Sequence, residues 1–142
     1  MEDQNFKNHA KMVPGFHYLT LPAILIFLIA SVNYFIQSTA ENKYLGASLC
    51  LLSIIVFLLA WYARGFALKA QDRAIRAEEN FRYYLATGKV FPKELRMGQI
   101  IALRFASDDE FVALTAKAIA ENLSNKQIKE LIKNWKADNN RA

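Results

Sequence analysis

The amino-acid sequence predicts an all-α protein: a hairpin of two transmembrane helices, whose second helix extends into the cytoplasm and carries a cap of about three short helices. Three observations lead to this fold class. Two apolar runs are long enough to cross a bilayer, most charged side chains lie outside them, and the region that follows shows helical periodicity. The predicted parts are an N-terminal cytoplasmic segment 1–17, a hairpin 18–63 with an external loop at 37–43, and a cytoplasmic helical region 64–142.

The two apolar runs are Tyr18–Ile36 and Tyr44–Ala63, with 19 and 20 residues and no charged side chain. At about 1.5 Å per helical residue, each run spans roughly 28–30 Å, which matches the roughly 30 Å hydrocarbon core of a bilayer. A cleaved signal peptide is the alternative for the first run, but that run is longer than the about 7–15 apolar residues of a signal peptide. Both runs are therefore predicted to span a membrane.

The basic residues predict the orientation of the hairpin. Segments 1–17 and 64–82 together contain seven Lys or Arg residues, whereas the loop 37–43 contains only Lys43. Because an excess of Lys and Arg marks the cytoplasmic side, we expect both termini in the cytoplasm and the loop outside. Small side chains at seven-residue intervals predict the face where the two helices approach closely. These residues are Ala23, Ala30, Gly46, Ser53 and Ala60.

The second helix is predicted to continue well beyond its apolar run. No strong helix breaker occurs between Gly65 and Thr87, and Gly88 is the next stop signal. Apolar residues recur at spacings of three and four along this extension and predict a stripe that faces the cap. The stripe consists of Phe66, Ala70, Ala74, Ala77, Phe81 and Tyr84. The opposite, charged face is predicted to contain the pairs Asp72–Arg76 and Glu78–Arg82, and it is interpreted either as a solvated surface or as a docking surface.

Three short helices are predicted after the segment 88–92. The first covers 93–106, and the capping boxes Ser107–Glu110 and Ser124–Gln127 open the other two. The second helix is expected to bury Phe111, Leu114, Ala118 and Ile119, and the third to carry Ile128, Leu131, Ile132 and Trp135. About 45 residues rarely supply a sufficient core alone. The cap is therefore expected to fold onto the stripe of the second helix.

The sequence contains no recognisable catalytic motif. A glycine-rich phosphate loop, HExxH, GxSxG and CxxC are all missing. His9 and His17 have no cluster of Cys or carboxylate residues beside them, and the lone Cys50 lies in a predicted span without an activating base. The acidic run 108–110 suggests a divalent cation, but helix capping explains it more simply. We predict no enzyme activity, no cofactor and no metal site.

The net charge of +5 lies entirely after residue 63, where 15 Lys or Arg residues accompany 10 Asp or Glu residues. Four of the basic residues are predicted to lie along one side of the last helix: Lys126, Lys129, Lys133 and Lys136. Each basic residue close to an anionic leaflet contributes about 1 kcal/mol of attraction. No nucleic-acid recognition motif accompanies the charge. The pattern favours anionic lipid headgroups over nucleic acid as the binding partner.

Three segments carry a resemblance to a known family: 67–78 (ALKAQDRAIRAE), 98–111 (GQIIALRFASDDEF) and 133–138 (KNWKAD). Together with the two spans, they resemble a bacterial family of unknown function, numbered 6526. The resemblance implies a small protein of the bacterial inner membrane and implies no activity. It directs attention to eight positions: Gln71, Asp72, Arg73, Arg76, Gln99, Arg104, Asp108 and Trp135.

Structural roles are predicted for three of these eight residues. Arg104 is expected to pair with Asp72 or Glu79, Asp108 to cap its helix, and Trp135 to anchor the last helix in the core. The predicted function is a non-enzymatic membrane-anchored adaptor or scaffold, which presents its cytoplasmic helices to an unknown protein partner or to a second copy. The alternative is a membrane-tethered binder of anionic lipid or nucleic acid through the basic helices. A membrane enzyme would require a cleft that collects four otherwise unpaired groups: Asp72, Arg73, Arg104 and Asp108.

Overall fold

The computed structural model describes residues 5–6 and 12–138, and this part of the chain is almost entirely helical. Its helices are α1 (Gly15–Gln37), α2 (Lys43–Thr87), α3 (Met97–Leu103), α4 (Asp108–Ala120) and α5 (Asn125–Leu131). The β pairing in the described residues is limited to an isolated antiparallel bridge between Ala106 and Trp135. The predicted all-α class is confirmed. Lys7, His9 and Lys11, on which sequence predictions rest, lie outside the described residues.

Residues Met12–Ala67 form one compact unit, a hairpin of α1 and the first part of α2. α1 begins with a π-helical turn and continues as an α-helix from Leu21, with Pro22 in its first turn, where the missing N–H costs least. A 3₁₀ turn at Ala40–Asn42 connects α1 to α2. The Lys43 ammonium donates to the carbonyl of Phe35 at 2.7 Å and so binds one of the free carbonyls at the end of α1.

The small residues of α2 mark the face that contacts α1, as predicted. Gly46 and Ser53 are buried, and Ala60 is half-buried. A Cβ atom added at Gly46 would lie 2.9 Å from Cα of Phe35, so only glycine allows this close approach. The Ser53 hydroxyl donates to the carbonyl of Cys50 at 2.7 Å, which satisfies it within its own helix.

The predicted contact face of α1 is wrong by one residue. Ala23 and Ala30 are exposed, and the buried positions are their neighbours Ile24 and Ser31. Both pairs repeat every seven residues, so the spacing alone does not choose between them. Ile24 offers more apolar surface to the partner helix than an alanine, and the Ser31 hydroxyl donates to the carbonyl of Phe27 at 2.7 Å.

Most of the apolar surface of the hairpin is exposed. Only 11% of the most apolar stretch of each of the two long helices is buried. By length and composition, both helices are suited to crossing a membrane. The hairpin therefore consists of two long apolar helices that pack together along one narrow face.

α2 continues without a break for 45 residues, as the sequence predicts. It ends at Thr87 because Gly88 adopts a positive φ of 71°, which glycine adopts at no steric cost, and the Gly88 N–H bonds to the carbonyl of Tyr84 at 2.7 Å.

The second unit contains the end of α2 and the C-terminal cap, which comprises residues 89–138. Its buried apolar residues form one core, to which α2 contributes Ile75. The cap contributes Leu95, Ile100, Ala102, Leu103, Phe105, Ala106, Phe111, Leu114, Ala118, Leu123, Ile128 and Ile132. Phe111, Leu114 and Ala118 are buried as predicted, and Ile119 is half-buried. The cap folds onto α2 as expected, but through Ile75 and its neighbours rather than through the predicted stripe.

α3 is shorter than the predicted helix 93–106. The chain makes a turn first, in which the Leu95 N–H donates to the carbonyl of Pro92 at 3.2 Å. Arg96 is extended, with ψ of 153°, so the helix starts only at Met97. A helix over 93–106 satisfies the apolar spacing, but the Arg96 N–H bonds to the Gln99 side chain in a capping box, which makes Arg96 the N-cap.

α5 begins as predicted and ends earlier. The Ser124 hydroxyl accepts from the Gln127 N–H, and the Gln127 amide oxygen accepts from the Ser124 N–H, which confirms the capping box. The helix ends at Leu131, because Ile132 adopts an extended conformation with ψ of 122°. Ile132 still enters the core, but from the segment that follows the helix.

The segment after α5 runs back beside the end of α3. The Lys136 N–H donates to the carbonyl of Phe105 at 2.8 Å, and the Ser107 N–H donates to the carbonyl of Asn134 at 3.0 Å. Lys133 and Lys136 therefore do not continue a basic line along α5, and that prediction is wrong. The sequence offered no local signal for this pairing, because its hydrogen bonds join residues far apart in the chain.

Candidate functional site

α2 presents two opposite faces between residues 66 and 84. Ile75, Glu79 and Tyr83, spaced four residues apart, face the cap, and Ile75 and Glu79 are 7% and 8% exposed. The ring of Tyr83 lies 5.0 Å from that of Phe91 and 6.2 Å from that of Phe111, measured between centroids. Contact with the cap is thus centred on the side of the helix that contains Glu79.

The predicted cap-facing stripe lies on the other side and is exposed, so that prediction is wrong. We call this stripe the open face: Phe66, Ala70, Ala74, Ala77, Phe81 and Tyr84. Its aromatic side chains are 63%, 61% and 51% exposed in that order. At about 100° per residue the open face is roughly half a turn from Glu79. The alanines produce the helical period of the stripe, but burial of an alanine side chain removes little apolar surface from water and so stabilises a core only slightly.

Arg82 is the main polar link between α2 and the cap, and the sequence prediction missed this role. Its guanidinium donates to Asp108 at 2.6 Å, to Glu79 at 3.0 Å and to the carbonyl of Ala106 at 2.7 Å. The same group lies 4.0 Å from the ring centroid of Phe111, and only 14% of the side chain is exposed. The predicted partner was Glu78, but the structure pairs Arg82 with Glu79 instead.

Asp108 is the first residue of α4 rather than its N-cap, so its predicted role is corrected. Its carboxylate is 81% exposed and binds the Arg82 guanidinium. The hydrogen bond and positive charge of Arg82, together with the charge of Lys136, hold the pKa of Asp108 below its ordinary value of 3.8 against the opposing effect of burial. A negative charge in the first turn also matches the helix dipole.

The predicted capping box at the start of α4 does not form. Ser107 is the N-cap residue, but its buried hydroxyl has no hydrogen-bond partner in the described part of the chain. The Glu110 carboxylate instead accepts the N–H groups of Lys133 at 3.1 Å and Asn134 at 3.0 Å. Glu110 thereby fixes the segment after α5 against the start of α4. The capping-box sequence thus predicted the start of α4 correctly, but it predicted the wrong hydrogen-bond partner for Glu110.

Gln99 and Arg104 have structural partners inside the cap. The Gln99 amide group donates to the carbonyls of Ala118 and Leu123, both at 3.0 Å, and its oxygen accepts the Arg96 N–H at 2.9 Å. Gln99 is only 3% exposed, and burial of an amide without hydrogen bonds is costly. These three bonds take the place of the bonds to water that the amide loses on burial. Gln99 therefore joins the start of α3 to the end of α4.

Arg104 pairs with Asp138 at 3.1 Å, not with Asp72 or Glu79 as predicted. It is 7% exposed and lies 4.6 Å from the ring centroid of Phe105. Trp135 is half-buried, and its ring is 5.2 Å from the same phenylalanine. Trp135 thus anchors the segment after α5, rather than the helix itself.

The remaining predicted positions lie on α2. Gln71 and Asp72 are half-buried, and Arg73 and Arg76 are exposed. The two arginines line a shallow cleft of about 390 Å³ together with Ala77, Asn80, Val90 and Phe91. The Asn80 side chain accepts the Phe91 N–H at 2.7 Å, which fixes one wall of the cleft. Two exposed guanidinium groups beside an apolar wall can bind an anionic group with an attached apolar chain.

The polar residues are distributed among separate places rather than collected in one cleft. Asp108 binds Arg82, Arg104 binds Asp138, and Arg73 lines the cleft on α2. Among the described residues there is no group of three or more His, Cys, Asp or Glu side chains that could hold a metal ion. This arrangement can stabilise the cap and bind a partner through its surface.

Comparison with protein families gave a match over the whole chain. A family described as a family of unknown function, DUF6526, matches residues 1–142, and the chain belongs to this family. The resemblance seen in the sequence is thereby confirmed. Neither the comparison with curated proteins nor the comparison with solved structures gave a match.

Proposed function

We propose that this DUF6526 protein is a non-enzymatic adaptor or scaffold, anchored by its hairpin in the bacterial inner membrane. α2 and the cap present a surface to a protein partner in the cytoplasm. The observation that carries the proposal is the open face of α2. Its three aromatic side chains are 51–63% exposed while the cap occupies the opposite side of the helix. Exposed apolar surface of this kind, beside charged residues, is typical of an interaction site.

The exposure of the hairpin supports membrane anchorage. With 11% of each apolar window buried, lipid is the medium that matches the remaining surface of α1 and α2. The excess of basic residues on the flanks supports a topology with both termini in the cytoplasm and the loop 37–43 outside.

The polar contacts of the cap support a role without catalysis. Arg82, Gln99 and Arg104 each bind partners within the protomer. Arginine and amide groups held in this way fix the shape of the cap and are not available to a substrate.

Cysteine labelling tests anchorage and topology in the full-length protein. In a Cys50→Ser background, Thr39→Cys should react with a membrane-impermeant maleimide in spheroplasts, and Ala137→Cys should react only after permeabilisation. The protein should also stay in the membrane pellet after carbonate extraction. Recovery in the soluble fraction, or labelling of Ala137→Cys in intact spheroplasts, contradicts the proposed anchorage or topology.

Site-specific photocrosslinking tests the adaptor role. A photoreactive amino acid at Phe81 lies on the open face, and one at Leu131, which is 38% exposed on α5, is the matched control. We expect a discrete crosslinked product in cells at position 81 and none at position 131. A strictly monomeric protein without crosslinks or a reproducible co-purifying partner contradicts the proposal.

A second candidate function is binding of anionic lipid through the cleft that Arg73 and Arg76 line. Full-length protein in nanodiscs that contain phosphatidylglycerol should retain this lipid in native mass spectrometry, and Arg73→Gln with Arg76→Gln should weaken retention. Lys89→Gln with Lys93→Gln removes the same charge at exposed positions outside the cleft and is the control. Equal retention by both double variants contradicts a role for the cleft.

A further inference from the structure

The open face of α2 has the residue pattern of a parallel two-stranded coiled coil. With Ala67, Ala74 and Phe81 as heptad positions a, the d positions are Ala70, Ala77 and Tyr84. All six residues are exposed. We call these six residues the seam. A heptad with apolar a and d positions places one continuous apolar line toward a partner helix.

The cap lies on the side of the helix that a coiled coil leaves outside. Ile75 and Arg82 occupy heptad position b, Tyr83 position c and Glu79 position f, and these residues face the cap. Asn80, at position g beside the seam, also accepts the Phe91 N–H. Positions b, c and f point away from the partner in a two-stranded coiled coil. Most of the cap therefore lies on the outer side of α2, and the seam residues stay exposed although Val90 and Phe91 lie beside Ala77.

The charges beside the seam select a second copy of this chain as the partner. Arg73 is the only charged residue at the g positions and Glu78 the only one at the e positions in segment 66–87. In a parallel pair, position g of one helix lies beside position e of the following heptad in the other. Arg73 of each copy therefore meets Glu78 of the other, and two symmetric ion pairs form.

The intramolecular contacts leave both charged groups accessible for this role. Arg73 and Glu78 are exposed, and neither takes part in an ion pair within the described residues. An antiparallel pair would place position g beside g and e beside e, which removes the match between Arg73 and Glu78. The charge pattern thus specifies the direction of the helices as well as the identity of the partner.

We propose that the protein forms a parallel homodimer through the seam of α2, with Arg73 and Glu78 paired between the copies. This inference rests on the proposed membrane anchorage, because hairpins inserted in the same direction give α2 of both copies the same direction across the membrane. In this proposal, the partner that binds the open face of α2 is a second copy of the same protein.

The size of the seam explains why the membrane is needed. Aromatic side chains bury about 150–250 Å² each, so Phe81, Tyr84 and the adjacent Phe66, at roughly half to two-thirds exposure, offer on the order of 300–400 Å² per copy. A stable dimer of soluble proteins typically buries about 800 Å² per partner. The seam alone is smaller than that. Confinement of both copies to one bilayer raises their effective concentration and aligns the helices.

Disulfide crosslinking of the full-length protein in native membranes tests the dimer. In the Cys50→Ser background, Ala74→Cys and Ala77→Cys place a thiol on the seam, whereas Ala86→Cys places one at exposed position f and is the matched control. We expect oxidation to give a covalent dimer at positions 74 and 77 much faster than at position 86. Equal crosslinking at all three positions, or none at any, overturns the proposal.

Charge reversal tests the predicted ion pairs in the Ala77→Cys protein. Glu78→Arg places arginine beside Arg73 of the other copy, and we expect it to weaken dimerisation roughly two- to thirtyfold, as for the loss of two exposed ion pairs. Adding Arg73→Glu exchanges the two charges and should restore crosslinking. If the double variant crosslinks no better than Glu78→Arg alone, the assigned register is wrong.

Fractionation separates failure of this inference from failure of the proposed function. A protein that stays in carbonate-washed membranes but shows no seam-specific crosslink refutes the homodimer and leaves the adaptor open to another partner. A protein that leaves the membrane fraction refutes the proposed anchorage, and with it the basis of the parallel dimer.

Discussion

Replacement of Arg82 is the sharpest test of how the cap is held on α2. Arg82→Ala leaves the Glu79 carboxylate, whose side chain is 11% exposed, without its cation. Breaking a largely buried ion pair costs about 3–5 kcal/mol, since the remaining charge stays desolvated. The carbonyl of Ala106 also loses its donor. The contact with Asp108 adds at most about 1 kcal/mol, because that carboxylate is 81% exposed. We expect Arg82→Ala to lower the free energy of unfolding by about 3–5 kcal/mol in total.

Trp135 gives a local signal for this measurement. Its ring lies against Phe105, and the chain contains just one other tryptophan, Trp61. In a Trp61→Phe background, urea titration of the full-length protein in mild detergent should follow unfolding of the cap through Trp135 fluorescence. With a slope of about 1 kcal/mol per molar urea for a small unit, the midpoint should fall by several molar, or the cap should be unfolded without urea.

Two further variants test whether Glu79 is the critical partner of Arg82. Asp108→Ala should cost less than about 1 kcal/mol, because its charge is exposed. Glu79→Gln in the Arg82→Ala background should recover about 1–2 kcal/mol, because it removes the stranded charge. If Asp108→Ala destabilises the cap as much as Arg82→Ala, or if Glu79→Gln recovers nothing, the assignment of Glu79 as the critical partner is wrong.

Three further predictions use the same protein. Gly46→Ala should destabilise the hairpin by about 1–3 kcal/mol in an SDS titration followed by circular dichroism, because its new methyl group would lie 2.9 Å from Cα of Phe35. Gly65→Ala is the control and should not destabilise the hairpin, because an added Cβ there has no atom within 4 Å other than the backbone of its own helix. Equal effects of the two substitutions would contradict the close approach. Gln99→Leu should cost about 1–3 kcal/mol in the urea titration, since it leaves the Arg96 N–H unbonded and removes one of two donors from the Ala118 and Leu123 carbonyls; a neutral effect would show that water replaces the amide. The lowered pKa of Asp108 predicts a stabilising contribution that is complete above 3.8 and declines as the pH falls through the lower pKa of the folded state. Asp108→Asn should therefore flatten the pH dependence of stability in that acidic range, and an unchanged profile would exclude the contribution.

Local rules predicted the long helices well. α2 was correctly extended to Thr87, since a helix continues until a residue such as Gly88 stops it, and this signal is independent of the rest of the fold. Gly46 was correctly assigned to the contact face for a similar reason: close approach of two backbones requires a small side chain. Both predictions depend on one residue and its immediate neighbours.

Contacts between distant segments were not predictable in the same way. α5 ends at Leu131 because the segment that follows bonds to residues near the end of α3 and to Glu110. Each of these partners is more than twenty residues away in the chain. Helical periodicity continued through Ile132 and Trp135, so the pattern alone extended the helix too far.

The choice of face on α2 explains why its polar residues were misjudged. A stripe of alanines and a line that contains Ile75, Glu79 and Arg82 both repeat with helical spacing, and residue polarity favours the alanines as the buried side. The structure reverses this choice, because the Arg82 guanidinium lies over the Phe111 ring while its nitrogens bind two carboxylates and one carbonyl. A long arginine can thus bring more apolar and polar contact than several alanines. Since the cap occupies that side, the alanine stripe stays exposed, and its heptad spacing is the basis of the proposed contact with a second copy rather than of the core of this one.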